Sequence, residues 1–378
     1  MKTLHRQPLI LDLYSGAGGL SLGAVRAGFK VWGAVDNNSY AINVHKYNFP
    51  STSHFQLDLF TSSFSEVLTG INVSKIKLDG IIGGPPCQGF STIGKRDIND
   101  SRNNLFVKFF QIVSELKPSF FLAENVLGIL SPFYDDLRNR AFEYIKNDYI
   151  ILDKIIVKAN EYGAPTTRTR VFFIGYNKNC MDSFHENDFL SGKVNEQGIV
   201  KVKDALLGLP VNIDPNISMS DIQIVNLCSK PNTFYESRIF DGYNNYAGNV
   251  EAIDNYKNYG YVTGCSPTKH SSDVKERYAN LKYNEMDSIS KSVRLNPDGF
   301  CPTLRAGTGP EKGSFQAVRP IHFSQPRVIT PREAARLQGF PDWFVFDKTK
   351  WHSFRLIGNS VSPIVAEKLL SVIYQKLT

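Results

Sequence analysis

The stretch Pro8-Leu9-Ile10-Leu11-Asp12-Leu13-Tyr14-Ser15-Gly16-Ala17-Gly18-Gly19-Leu20 decides the fold. Pro8 to Leu13 reads as a buried strand, and a glycine turn leads into a helix over Gly18 to Gly28 with small residues on its face. Working outward, Lys30 to Val35 reads as a second strand and Ser39 to Tyr47 as a second helix. Asp79 to Ile82 is another strand, stopped by Gly83, Gly84, Pro85 and Pro86. Leu105 to Leu116 carries a helical apolar face, and Ser119 to Ala123 is a further buried strand. Strand–helix alternation predicts an α/β chain, a parallel sheet with helices on both faces. Ligands of such sheets bind outside the carboxyl ends of the strands.

Composition agrees with a globular chain. Of 378 residues, 42% are hydrophobic and 21% charged, which excludes disorder and fibrous repeats. No uninterrupted apolar run approaches the ~20 residues of a bilayer span, so no membrane is expected. Residues 1–10 lack an apolar core of signal-peptide length. Cys87, Cys180, Cys228, Cys265 and Cys301 are scattered without a CxxC pair, so neither a disulfide framework nor a metal site is expected, and a reducing cytoplasm is.

The net charge of +7 is unevenly spread. Residues 1–178 carry 20 basic and 15 acidic residues, 179–268 carry 6 and 11, and 269–336 carry 12 and 7. A polyanion would therefore face away from the acidic middle. From 179 to 325 Asn, Tyr, Ser and Gly are frequent and helical periodicity is weak, which predicts a smaller domain of short strands and loops. Order returns with Thr330-Pro331-Arg332-Glu333, a helix start with Thr as N-cap, and with an apolar helix over Val361 to Leu377 that packs back on the first domain. The expected organisation is 1–178, 179–325 and 326–378.

Three places carry chemistry. The turn at Gly16, Gly18 and Gly19 lets a ligand approach the backbone, and Asp36 ends the next strand, where an acid accepts ribose hydroxyls. On this alone a nicotinamide dinucleotide and S-adenosylmethionine compete, with the GxGG arrangement leaning toward the latter. Gly83-Gly84-Pro85-Pro86-Cys87-Gln88 puts Cys87 on a rigid turn at the carboxyl edge of the sheet, with Lys95, Arg96 and Arg102 following. A nucleophilic thiolate needs such a positive neighbourhood. Ala123-Glu124-Asn125-Val126 ends the neighbouring strand and brings Glu124 into the same cleft.

These blocks resemble the DNA (cytosine-5-)methyltransferases over nearly the whole chain. The turn at 12–20, Pro-Pro-Cys-Gln, Glu-Asn-Val, Tyr162-Gly163 with Pro165, Arg168 and Arg170, the run Pro331 to Pro341 and Gly358-Asn359-Ser360-Val361 occur in that family's order. The resemblance implies a Rossmann-like S-adenosylmethionine-dependent methyltransferase fold with a smaller irregular target-recognition domain. It implies that Cys87 is the nucleophile, that Glu124 acts at ring nitrogen 3, and that Arg168 and Arg170 contact the base and support the site. For S-adenosyl-L-methionine it implies contacts from Tyr14, Gly16, Gly18, Gly19, Leu20, Asp36, Asn37, Asp58, Leu59, Pro85, Leu105, Asn359 and Val361. Tyr14 would stack on the adenine, Asp36 would bind the ribose and Asp58 the adenine amino group.

The implied partner is double-stranded DNA, acted on by a monomer in the cytoplasm as half of a restriction–modification system, with the cognate restriction endonuclease a separate protein. Two alternatives are an RNA (tRNA) cytosine-5 methyltransferase, whose Cys-Phe-Thr motif is absent here, and an inactive DNA-binding relative. Two positions depart from the family: Thr166 stands where Gln is usual, and Asp36 where Glu is common. Sequence reading is expected in 179–325, with Arg294 and Arg305 as DNA contacts from the basic stretch.

Overall fold

A computed structural model describes residues 6–71, 76–86, 104–225, 231, 233–240, 246–305 and 318–377. Cys87, Lys95, Arg96, Arg102 and Cys228 lie outside the described residues.

The opening stretch forms β1 (Leu9–Leu13) and α1 (Gly19–Ala27), followed by β2 (Lys30–Asp36), α2 (Ser39–Asn48), β3 (Ser53–Gln56) and α3 (Phe64–Ile71). Then come β4 (Gly80–Gly83), α4 (Asn104–Leu116), β5 (Phe120–Asn125), α5 (Asp135–Glu143), β6 (Tyr149–Ile151), β7 (Ile155–Lys158) and β8 (Thr169–Asn177). These strands make one sheet of order β3-β2-β1-β4-β5-β8-β6, with β7 also paired to β8. The order reverses between β1 and β4, which creates a crevice at their carboxyl ends.

Only β1 to β5 are mutually parallel. β8 runs antiparallel to β5, β6 and β7, which corrects the expectation of a parallel sheet. The cause is local: β6 and β7 lie along the same edge of β8, and only residues 159–168 join β7 to β8, too few for a parallel crossover.

Alternating residues divide the two faces. Leu11, Leu13, Ile81, Phe121 and Ala123 pack under α3, α4 and α5. Ile10, Val31, Ile82, Phe120 and Leu122 pack on the side of α1, and that core continues through Val202, Tyr256, Cys301 and Leu304.

The stretch from 179 to 325 also departs from expectation. Its described residues hold the short helices α6 (Glu186–Leu190), α7 (Val202–Leu206), α8 (Phe234–Phe240), α9 (Val250–Tyr259) and α10 (Ser272–Asn280). One two-residue pair joins β9 (Gln223–Ile224) to β10 (Tyr261–Val262). Asn249 caps α9 by accepting from Ala252 N–H, and Gly260 ends it in the left-handed region, so local caps define a helix that has little periodic signal.

The chain returns as α11 (Pro331–Gln338), α12 (Lys350–Asn359) and α13 (Pro363–Leu377). Thr330 is the N-cap of α11 as expected, with Pro331 at its first position, and Thr330 and Glu333 together form a capping box. The segment 350–377 is long and apolar enough for a membrane span by composition, but it is two helices with 83% of its apolar window buried in the protein. α13 lies along α1 so closely that a Cβ on Gly23 would sit 2.3 Å from the Ala366 Cβ.

Candidate active site

The glycine turn forms because its backbone visits regions that side chains disfavour. Tyr14, Gly16 and Gly18 have φ of 58°, 56° and 95°. A Cβ on Gly18 would meet the rings of Phe49 and His45, and one on Gly19 would meet the Val361 carbonyl oxygen at 2.2 Å. Gly16 is different: among the described residues nothing lies within 4 Å of its Cβ position, so the turn is open there to a ligand. Leu20 is buried in the core behind the turn.

Asp36 closes this turn. Its Oδ2 accepts from Gly16 N–H and its Oδ1 from Asn38 N–H, both at 2.9 Å. Burial raises its pKa, while the Asn38 and Gly16 N–H groups and the charge of Arg355 pull the other way. A carboxylate has about four acceptor positions, so capacity remains for ribose hydroxyls. Asn37 beside it is exposed.

Tyr14 is half-buried and donates its hydroxyl to the Leu105 carbonyl at 3.0 Å, which joins the turn to the start of α4. Burial, then the negative charges of Asp58 and Asp36, push its pKa up, so it stays a neutral donor. Asp58 is half-buried and accepts from Phe60 N–H, Leu59 is buried, and Pro85 is buried across the crevice.

The second half of the site follows from strand register. Gly83 in β4 lies opposite Ala123 in β5, so Gly84 falls beside Glu124. A Cβ on Gly84 would lie 3.2 Å from Glu124 Oε2, and Asn125 Nδ2 donates to the Pro85 carbonyl. The loop that leads to Cys87 is thereby held against Glu124.

Glu124 is 8% exposed. Arg170 Nε stands 2.8 Å from its Oε1 and Arg168 Nη2 stands 4.0 Å away. Oε1 makes this ion pair without a directed hydrogen bond, so a buried carboxylate oxygen retains acceptor capacity in the cleft.

Arg168 has a different job. Its Nη1 donates to the Gly358 carbonyl at 2.8 Å and its Nη2 to the Asn359 carbonyl at 3.2 Å. Gln338 Nε2 donates to the Ser360 carbonyl at 2.6 Å. Three successive carbonyls of the last block are held by Arg168, just before β8, and by Gln338 of α11, while the Asn359 side chain is exposed and Val361 packs over Gly19.

Two residues expected to matter sit elsewhere or act otherwise. Thr166 is buried, and its neighbours bond the backbone of Cys301: Thr167 N–H donates to the Cys301 carbonyl and Cys301 N–H to the Pro165 carbonyl, both at 2.9 Å. Arg294, expected to contact DNA, spends its guanidinium on the carbonyls of Ala279, Leu281 and Phe323 and so braces the protein. Arg305 is exposed, four residues beyond the Cys301 tie.

The sequence reading did not single out the buried polar residues around the turn. Ser21, His45 and His54 join Asp12 in one hydrogen-bonded row. The available signal was an acid inside the otherwise apolar strand Leu9–Leu13. Among the described residues no group of His, Cys, Asp or Glu forms a metal cluster.

A sheet reversing at β1 and β4, with a glycine turn and a strand-end acid at the reversal, defines the Rossmann-like fold of S-adenosylmethionine-dependent methyltransferases. The chain belongs to the C-5 cytosine-specific DNA methylase family, whose model matches residues 9–375. It is therefore a DNA (cytosine-5-)methyltransferase of the type II group, a family that generally uses S-adenosylmethionine.

Type II methyltransferase M.XorII of Xanthomonas oryzae pv. oryzae is 35% identical over 372 residues, covering 95% of this chain and 83% of the relative. M.DdeI of Desulfomicrobium norvegicum is 33% identical over 393 residues, covering 95% and 87%. A solved prophage-encoded E. coli protein, described as a DNA modification methyltransferase, is 48% identical with a TM-score of 0.86, covering 98% and 99%. The S. pombe Dnmt2 methyltransferase, at 18% identity and a TM-score of 0.63 over 98% and 99%, shares the fold.

Proposed function

We propose that this chain methylates carbon 5 of a cytosine within one specific double-stranded DNA sequence, by covalent addition of Cys87 to a base flipped out of the duplex. The observation that carries the reading is the Glu124 carboxyl, buried, paired to Arg170 and set against the Gly84–Pro85 turn that leads to Cys87. A cytosine is inaccessible inside the stack, so the base enters the cleft.

The Cys87 thiolate adds to carbon 6. Glu124, in its acid form, donates to ring nitrogen 3, and the displaced electron pair makes carbon 5 nucleophilic. S-adenosyl-L-methionine supplies an electrophilic methyl group. The carbon 5 proton then leaves to a base, the carbon 5–carbon 6 double bond re-forms, the Cys87–carbon 6 bond breaks to give back the thiolate, and the nitrogen 3 proton returns to Glu124.

The residues present fit that cofactor. Gly16 leaves room, Asp36 keeps acceptors for ribose, and Asp58 offers a carboxylate for the adenine amino group. Tyr14 with Leu105 walls one side, while Asn359 and Val361 close the other.

In this reading residues 179–325 are the target-recognition domain between the catalytic segments 1–178 and 326–378. The names of the type II relatives support a modification role with a separate restriction endonuclease, and a monomer is the simplest form that meets it.

The test is bisulfite sequencing of DNA from a host expressing the wild type or Cys87→Ala. Methylcytosine in one sequence context for the wild type only is expected. A duplex with 5-fluorocytosine at that site should then trap the wild type covalently. Methylation or trapping by Cys87→Ala overturns the assignment.

A further inference from the structure

A row of buried polar groups runs under the glycine turn and has no task in the mechanism above. Asp12 of β1 is 0% exposed. Ser21 Oγ lies 2.6 Å from Asp12 Oδ2, His45 Nε2 lies 3.0 Å from Ser21 Oγ, and His54 Nε2 lies 2.9 Å from His45 Nδ1. Of the four, only His54 reaches solvent in part. Asp12 Oδ1 has no hydrogen-bond partner among the described residues. The His45 ring is also the floor of the turn, since a Cβ on Gly18 would come within 2.9 Å of it.

The row has two complete settings. With Asp12 ionised, Ser21 donates to Asp12, His45 Nε2–H to Ser21 and His54 Nε2–H to His45 Nδ1. With Asp12 protonated on Oδ2, all three bonds reverse, and none is lost. The proton balance closes: one proton from water binds His54 Nδ1, each group passes its own proton inward, and Asp12 gains one. His54 ends neutral.

The surroundings favour this exchange near neutrality. Burial raises Asp12 to about 7, opposed by the Ser21 hydrogen bond and reinforced by Asp36. Burial holds His45 well below its ordinary value, and burial with the charge of Lys46 holds His54 at about 4, so both stay neutral carriers. On β2 the facing charge is Asp36, itself opposed by Arg355. β4 presents Ile82 opposite Asp12, and on α1 Arg26 belongs to a group with Arg238 and Glu367.

The methyl donor carries a sulfonium charge that its demethylated product lacks. We propose that Asp12, supported by Ser21, His45 and His54, is a positioning residue that makes the cofactor site prefer the cationic donor over the neutral product. The inference rests on the S-adenosylmethionine reading. Ionised Asp12 attracts the donor, and product binding lets Asp12 take up a proton.

The test is calorimetry of S-adenosylmethionine and S-adenosylhomocysteine binding at pH 6, 7 and 8, in buffers of different ionisation enthalpy. Donor preference should rise on the order of tenfold between pH 6 and 8. Product should bind with more proton uptake than donor at pH 7. Asp12→Asn should flatten both effects. Ser21→Ala should move the midpoint upward, because ionised Asp12 loses its donor.

A pH-independent preference in the wild type, or an unchanged pH dependence in Asp12→Asn, overturns the proposal, the latter assigning the effect to Asp36. If Asp12→Asn does not fold, an unchanged midpoint in Ser21→Ala overturns it. Failure of the donor to bind at all refutes the cofactor reading as well; binding of both ligands at a constant ratio refutes this inference alone.

Discussion

Replacing Arg170 with Ala removes the cation 2.8 Å from Glu124 and leaves the carboxylate in a cleft where its side chain is 11% exposed. Breaking a buried ion pair from one side costs about 3–5 kcal/mol, because the remaining charge loses its partner but stays out of water. Arg170 is 17% exposed and Arg168 stands 4.0 Å from the same oxygen, so the lower end applies, about 3 kcal/mol. Arg168 is committed to the Gly358 and Asn359 carbonyls and does not replace the lost contact.

Urea unfolding at pH 8 of wild type, Arg170→Ala, Glu124→Gln and the double variant makes a closed cycle. Removing both charges should recover much of the loss, for a coupling of about 2 kcal/mol. Methyl transfer by Arg170→Ala should fall on the order of a hundredfold in kcat, with donor affinity unchanged, since Tyr14 and Asp36 are untouched. A loss under ~1 kcal/mol with additive singles would refute the argument that Arg170 holds the Glu124 carboxyl in place.

Gly19→Ala should destabilise the protein by at least ~2 kcal/mol in thermal unfolding, because its Cβ would lie 2.2 Å from a backbone carbonyl that cannot move aside cheaply; a loss near zero would mean the two ends of the chain are not locked at the turn. Asp36→Ala should weaken donor binding by roughly tenfold or more in calorimetry, through lost ribose acceptors and a freed Gly16 N–H. Arg305→Ala should reduce the salt slope of DNA affinity by about one, the mark of a lost phosphate contact, while Arg294→Ala should lower the melting temperature and leave that slope alone. The reverse pattern would exchange the roles of these two arginines.

What was legible in the sequence was whatever local chemistry determines. β1, β4 and β5 are apolar runs ended by Gly, Pro or a polar residue, and they end within a residue or two of where those signals stand. Thr330 caps α11 because hydroxyl, proline and glutamate occupy the three positions that matter. The antiparallel half of the sheet was not legible, because a buried strand reads the same in either direction and only the short β7–β8 connection betrays it.

Arg294 misled for a similar reason. A sequence shows a charge in a basic stretch, but not the three carbonyls that converge on it. Arg168 and Arg170 were visible as a pair on one strand face, yet their division of labour depends on what packs beside each, the last block for Arg168 and Glu124 for Arg170.

The same contacts explain why segments 1–178 and 326–378 tolerate a long excursion between them. The glycine turn cannot keep its shape alone, since Gly19 and Gly23 are packed by Val361 and Ala366, residues that arrive more than 300 positions later. The residues just before them, Gly358 to Ser360, are in turn fixed by Arg168 and Gln338 through backbone carbonyls, which any side chain sequence in the block would present. α11 meanwhile reaches into the intervening region by backbone bonds as well: Arg332 donates to the Thr263 carbonyl, Arg336 to those of Ala205 and Leu207, and Tyr235 donates to the Arg336 carbonyl. Attachment through main-chain carbonyls constrains where the middle region sits while leaving its exposed side chains unconstrained. In the proposed function that separation lets the chemistry at Glu124 stay constant while the surface that meets the duplex changes.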